Sequence, residues 1–171
     1  MSPAMRTNLI WDKAAIRAAP LRTLAIVAFL IARTGFAVFF AYGFWRKLER
    51  GWLWTDTLQQ HFLRRLSDSD LVAFQAGYLE HFAIPFYLPI AWAVTLGELA
   101  VAIGLLLGIA TRANGALALF ILLNFAAGGY FNPALLPFII FALLTILLPS
   151  GHWLGFDYWL AERYPRSPWF K

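Results

Sequence analysis

Apolar residues run nearly unbroken from Leu24 to Trp45, interrupted by Arg33 and Thr34. Between His81 and Arg112 the only charge is Glu98, and between Arg112 and Asp157 there is none. A bilayer core is about 30 Å thick and takes roughly 20 apolar residues as helix. The first two runs each suit one crossing. The last is too long for one and suits two short ones. The pattern predicts spans at about 23–45, 86–110, 114–130 and 134–149, in one membrane domain covering 1–171.

Local signals set the boundaries. Pro20 fits the first position of a helix, and Gly35 and Gly43 thin the first span for close packing. Trp45-Arg46-Lys47 closes that span with an aromatic and basic interface signature. Pro85 and Pro89 open the second span. Ala93, Gly97, Ala100, Gly104 and Gly108 form a small-residue stripe along it, and Gly104–Gly108 is a GxxxG match. Such a match promotes close helix contact, within the chain or between two copies. Thr111-Arg112-Ala113-Asn114 reads as a tight turn, Asn132-Pro133 as another, and Pro149-Ser150-Gly151 as the end of the fourth span.

Residues 46–81 form the one sizeable extramembrane loop. Trp54, Leu58, Phe62 and Leu66 recur every fourth residue, with Gln59, Gln60, Arg64 and Arg65 between them. Ser67-Asp68-Ser69-Asp70 supplies cap residues and acids at a helix start. Leu71, Phe74, Tyr78 and Phe82 then follow with helical spacing. Two short amphipathic helices on the membrane face are predicted. Both tails carry similar patterns, around Trp11, Ile16 and Leu21 and around Trp153, Leu154, Phe156, Trp159 and Leu160, and each predicts an interfacial helix. A basic head before an apolar run also describes a signal peptide. Continuation past Arg33 to Trp45 favours a retained span.

Composition agrees. The chain is 61% hydrophobic and 13% charged, against about half and a quarter in soluble domains. A domain of this size buries only about 70% of its chain surface, so the excess must face lipid or protein. The fold class expected is all-α integral membrane: a four-transmembrane-helix bundle with amphipathic interfacial helices in the first loop and at both tails.

Lysine and arginine set the expected orientation. Arg6, Lys13, Arg17, Arg22, Arg112, Arg163, Arg166 and Lys171 share one side, eight in all. Arg46, Lys47, Arg50, Arg64 and Arg65 are on the other, offset by five acids. The positive-inside rule places both termini in the cytoplasm of a multi-pass inner (cytoplasmic) membrane protein. It also explains the net charge of +5 better than nucleic acid does, since no basic stripe or binding motif is present. Absent cysteine excludes disulfides, thiolate nucleophiles, iron–sulfur ligation and covalent c-type haem. No covalently bound cofactor and no metal site are expected.

Charges inside a membrane are costly and are functional candidates by default. Arg33 and Glu98 lie within spans; Lys47 and Arg112 stand at span ends. Arg33 and Lys47 are fourteen residues apart, as are Glu98 and Arg112, about 21 Å along a helix. In antiparallel spans with Arg112 near the level of Arg33, Glu98 comes near the level of Lys47. A Glu98 contact with Lys47 or Arg46 is expected, with Arg33 facing the interior. Such a pair either serves chemistry or only locks helix packing. His61, His81 and His152 lie off the span centres and read as interfacial side chains. Asn124 and Thr145 are expected to make helix–helix hydrogen bonds.

The run Gly97-Glu98-Leu99-Ala100-Val101-Ala102-Ile103-Gly104-Leu105-Leu106-Leu107-Gly108-Ile109-Ala110-Thr111-Arg112 resembles the signature of the DoxX/DoxD superfamily. Arg33 before Gly35, Gly43 before Lys47, and the tail Leu154-Gly155-Phe156-Asp157-Tyr158-Trp159-Leu160 agree with it. The resemblance covers roughly residues 30–164. Length and loop are similar to the DoxD-type small subunit of thiosulfate:quinone oxidoreductase. It implies a four-helix membrane bundle linked to thiosulfate oxidation or quinone reduction, with quinone as cofactor and Arg33, Lys47, Glu98 and Arg112 as the family-matching polar positions. An acid beside a base at mid-membrane is suited to the proton that quinone reduction requires. The chain has no redox centre of its own, so electrons must come from a bound cofactor or a partner subunit.

Two functions are expected on equal footing, and a third is disfavoured. The first is a membrane subunit of a quinone-linked redox system, oxidising thiosulfate or another small donor. The second is a non-catalytic structural or accessory subunit of a larger respiratory or photosynthetic complex. The third, a small-solute transporter, is disfavoured because four short spans carry no inverted repeat. Membrane lipids and other membrane-protein subunits are the expected partners.

Overall fold

The computed structural model describes residues 11–170. Arg6 and Lys171, counted above among the tail-side charges, lie outside them. Of the described residues 80% are helical and none lies in a strand. The order is α1 (Lys13–Ala18), α2 (Pro20–Glu49), α3 (Thr57–Leu66), α4 (Ala73–Tyr78) with a π-turn at Leu79–Ala83, α5 (Tyr87–Leu107), α6 (Thr111–Phe125) with a second π-turn at Ala126–Tyr130, a 3-10 turn at Pro133–Leu135, α7 (Leu136–Leu147), α8 (Ser150–Trp153) and α9 (Asp157–Arg163). A 3-10 turn at Pro168–Phe170 ends the described chain.

Three helices are long and apolar enough to cross a membrane: Pro20–Glu49, Tyr87–Leu107 and Thr111–Tyr130. The apolar helix Pro133–Leu147 is shorter. At 1.5 Å per residue the 30 residues of α2 reach about 45 Å, so α2 outruns a hydrocarbon core at its ends. Side chains from α2, α5, α6 and α7 meet in one core, where Phe40, Val101, Leu105, Ala118, Leu122 and Ala142 are fully buried. Phe36 and Phe141 pack edge to face at 5.1 Å and close α7 onto α2. In a bilayer, where lipid is as apolar as these side chains, close packing rather than expulsion from water holds such helices together.

The glycine stripe serves packing within the chain. A β-carbon on Gly104 would strike the Asn114 amide of α6, and one on Gly97 would press on Ile121 of α6 at 3.1 Å. Ala93 and Ala100 of the same stripe are exposed. Gly35 is also exposed and has nothing within 4 Å of its would-be β-carbon, so it thins no contact in this chain.

The turn expected at Thr111–Asn114 lies three residues earlier. Gly108, at φ 65°, takes the left-handed conformation that ends α5. Thr111 and Asn114 are already helical. The loop folds as two short helices, α3 and α4, but Ser67–Asp70 does not start the second. That helix begins at Ala73. Arg65 competes successfully for the acids: its guanidinium donates to Asp68 and Asp70 at 2.9 Å, and its Nε donates to the Gly129 carbonyl at 2.9 Å. Leu58 and Phe62 of the predicted stripe are buried, with Leu79, Ala83 and Ala91, in a second small core under the loop. Trp54 precedes α3 and is exposed.

Candidate functional site

Lys47 Nζ donates to both carboxylate oxygens of Glu98, at 2.7 Å each. Both side chains are buried. The end of α2 fixes the lysine. After Arg50, Gly51 turns left-handed at φ 69°, Gly51 N–H bonds the Leu48 carbonyl and Trp52 N–H bonds the Lys47 carbonyl. This is the Schellman arrangement, in which the residue after the glycine packs back on the helix's last turn. Here that residue is Trp52, and Lys47 Nζ lies 4.9 Å from its ring centroid. The Phe125 ring lies 5.5 Å away on another side. Two aromatic faces and one carboxylate thus surround the ammonium, each of them attractive.

Arg33 is buried at the other end of the bundle, where it ties α2 to the tail. It donates at 2.7 Å to the Ser150 carbonyl and at 2.6 Å to that of Leu154. Asp157, buried at 2% exposure, seals the same end. It accepts from the Ala110 and Thr111 amides and, at 2.7 Å, from the Thr111 hydroxyl. Those amides belong to the unsatisfied first turn of α6, where a negative charge also meets the positive helix end. Gly108 and Gly155 touch backbone to backbone, where neither has room for a β-carbon.

The four polar positions picked out in sequence therefore divide. Lys47 and Glu98 form a pair; Arg33 belongs to the tail clasp. Arg112 contacts neither, and its buried Nε has no hydrogen-bond partner among the described residues. Trp52 and Asp157 are not among these four. Gly51-Trp52 four and five residues after Lys47 was a readable signal for the first. Asp157 stands in the family-like tail run, but its partners lie 46 and 47 residues back, where no local spacing points to them.

Two hollows flank these groups. One, about 500 Å³, lies between the loop helices and the faces of α5 and α6, and its wall includes Trp52, Phe125, Tyr78, Asn124 and His61. The Lys47–Glu98 pair sits behind that Trp52–Phe125 wall. The other, about 530 Å³, runs beside Arg33 between α2, α5 and the tail. Glu98 lines neither. The Tyr78 hydroxyl donates to Asn124 Oδ1 at 2.8 Å, a bond between helices as expected for Asn124. Thr145 instead bonds Phe141 of its own helix at 2.8 Å. His61 is half-buried, and burial with Arg64 and Arg50 nearby holds its imidazole below the ordinary histidine value. His81 is exposed, and His152 lies 2.7 Å from the Phe170 carbonyl. Among the described residues no group of histidine, cysteine, aspartate and glutamate is placed to hold a metal ion. Comparison with protein-family models, with curated proteins and with solved structures finds no match to this chain.

Proposed function

We propose that this chain is a DoxX/DoxD-like membrane subunit of a quinone-linked redox system. The observation that carries the reading is the Lys47–Glu98 ion pair, buried between two helices of membrane-spanning length. Charges in that setting are expensive to keep and are retained where they serve a pathway. Reducing a quinone to a quinol takes two electrons and two protons. Glu98 and Lys47 supply a proton-carrying pair beside an aromatic wall. The electrons come from a redox group on a partner subunit that oxidises thiosulfate or another small donor.

In this reading the chain crosses the inner membrane four times, Pro133–Leu147 making the shortest crossing at about 22 Å. Helices α1, α3, α4, α8 and α9 lie at the two faces. The Trp11 indole bonds the Trp153 carbonyl at 2.9 Å, which supports placing both tails on one side. The cytoplasmic assignment follows from basic residues.

Purification in mild detergent tests the proposal by identifying co-purifying subunits and extractable quinone. Glu98→Gln in the intact complex is expected to abolish quinone reduction while leaving the subunits assembled. Full activity in that variant removes the carboxylate from the reaction.

A second reading, an accessory subunit without chemistry, draws on the apolar outer faces. Phe39, Tyr42, Phe120 and Leu147 are all exposed at 40% or more, and partner chains would cover such surfaces. In that case Glu98→Gln loosens the bundle but leaves the electron transfer of the complex intact.

A further inference from the structure

We infer that the loop-side cavity is a binding site for the ring of a lipid-soluble quinone, entered sideways from the bilayer between α5, α6 and the π-turn after α4. This rests on the function proposed above and adds the place and the contacts. At about 500 Å³ the cavity lies within the range of roughly 300–1,000 Å³ usual for small-molecule sites.

Three features of its lining specify the occupant. Its outer lip is Phe82 of the π-turn together with Ala93 of α5 and Phe120 of α6, all exposed, the last two on faces that membrane-length helices turn outward. A ligand dissolved in lipid reaches that lip without crossing water. Its inner wall is aromatic, and Trp52 and Phe125 there are the same rings that flank Lys47. Between lip and wall stands one polar pair. Tyr78 donates to Asn124 Oδ1, and Asn124 Nδ2 donates one hydrogen to the Phe120 carbonyl at 2.8 Å. The second Nδ2 hydrogen has no partner among the described residues. Asn124 is half-buried and lines the cavity, so that hydrogen is open to an acceptor lodged there. A ring carbonyl supplies one, and a fatty acyl chain does not. Arg50 and His61 line the loop-side rim, toward water. A flat, apolar, carbonyl-bearing ring fits each element of this lining. The tail-side groove beside Arg33 presents a charged guanidinium instead of a neutral amide: both terminal nitrogens donate to carbonyls of the tail, and the buried Nε has no partner among the described residues.

The test uses the full chain in detergent, titrated with a decyl-substituted benzoquinone, with apparent affinity read from the ligand-dependent rise in Tm. Ala93→Trp fills the lip from an exposed position, and Asn124→Leu removes the donor. Each is expected to weaken binding by about tenfold or more. Ile31→Trp, in the tail-side groove, is expected to leave binding unchanged. The ligand-free Tm of each variant reports its folding, so Ala93→Trp decides the question if Asn124→Leu misfolds. Quinone bound equally well by parent and Ala93→Trp overturns the site while sparing the function. Binding lost in Ile31→Trp instead does the same. Equal stabilisation by a dioleoyl phospholipid, displacing the quinone, makes the cavity a lipid seat. No binding by the parent chain overturns the site, and the function then stands or falls on the quinone extracted with the intact complex.

Discussion

A β-carbon on Gly43 would stand 3.0 Å from Oε1 and 3.1 Å from Oε2 of Glu98. Gly43 lies one helical turn before Lys47, so the missing side chain makes the berth into which the carboxylate fits. In an ordinary helix, glycine to alanine gains up to about 1 kcal/mol. Here the added methyl presses on an acid that Lys47 holds on both oxygens, and overpacking costs about 1–3 kcal/mol. The second effect wins. Gly43→Ala is expected to lower Tm, and Gly43→Val to lower it further. Gly35→Ala, eight residues earlier with open space around it, is the control and is expected to be neutral or mildly stabilising. Equal Tm changes for Gly35→Ala and Gly43→Ala would falsify the close Gly43–Glu98 approach.

The ion pair itself is open to a double-mutant cycle. Removing one partner of a buried pair strands the other and costs about 3–5 kcal/mol, whereas replacing both by apolar residues is often neutral. Glu98→Leu and Lys47→Met are each expected to destabilise strongly. The double variant should recover most of the loss in denaturant unfolding. On the proposed function that recovery also separates structure from chemistry, because the stable double variant is then expected to show no quinone reduction. Additive losses in the double variant would mean the two groups do not interact.

How much of this was written in the sequence depends on range. The long apolar runs and the isolated charges between them marked helices of spanning length, because a bilayer admits few alternatives. The equal fourteen-residue spacings put Lys47 and Glu98 at one level, because antiparallel helices rise at the same rate. Competing local signals mislead at two places. Ser67–Asp70 looks like a helix cap until Arg65 claims its acids. Thr145 looks like interhelical glue, yet a threonine can bond the carbonyl four residues back, and this one does. The tail clasp was illegible for another reason. Arg33 meets carbonyls 117 and 121 residues away, and no periodicity or spacing encodes a backbone acceptor at that distance.

Asp157 offers a prediction about that clasp. Its carboxylate accepts from two amides and one hydroxyl, and hydrogen bonds to a charged group are worth about 1.5–3 kcal/mol each when made inside the fold. Asparagine keeps the shape but turns one acceptor into a donor that faces another donor. Asp157→Asn is expected to destabilise by about 2–3 kcal/mol, and Thr111→Val, which removes the hydroxyl alone, by less. Hydrogen exchange locates the effect: faster exchange is expected at the first turn of α6 and in α9, with the Lys47–Glu98 end unchanged. Exchange that rises evenly along the chain would assign Asp157 no special role in capping α6.

The loop helices carry the pH dependence. In the folded chain His61 is held below the ordinary histidine value by burial first, then by Arg64 and Arg50. The unfolded chain therefore takes up that proton first, and its binding favours unfolding. The stability from neutral His61 is fully present above about pH 6.5. It is lost as pH falls from there through the lowered folded value. Asp70 behaves likewise in a more acidic window. Its hydrogen bonds to Arg65 hold it below the usual carboxylate range, so its contribution is complete above about pH 3.9 and goes as pH falls through the folded value. Two separate losses are expected in a plot of Tm against pH. His61→Gln should remove only the first. Asp70→Asn should remove only the second and should also raise hydrogen exchange around Gly129, which Arg65 pins to the loop. Salt should erode the Asp70 step more than the His61 step, because the Asp70 side chain is exposed and screened while His61 responds mainly to burial. An unchanged first step in His61→Gln would move that titration to another group.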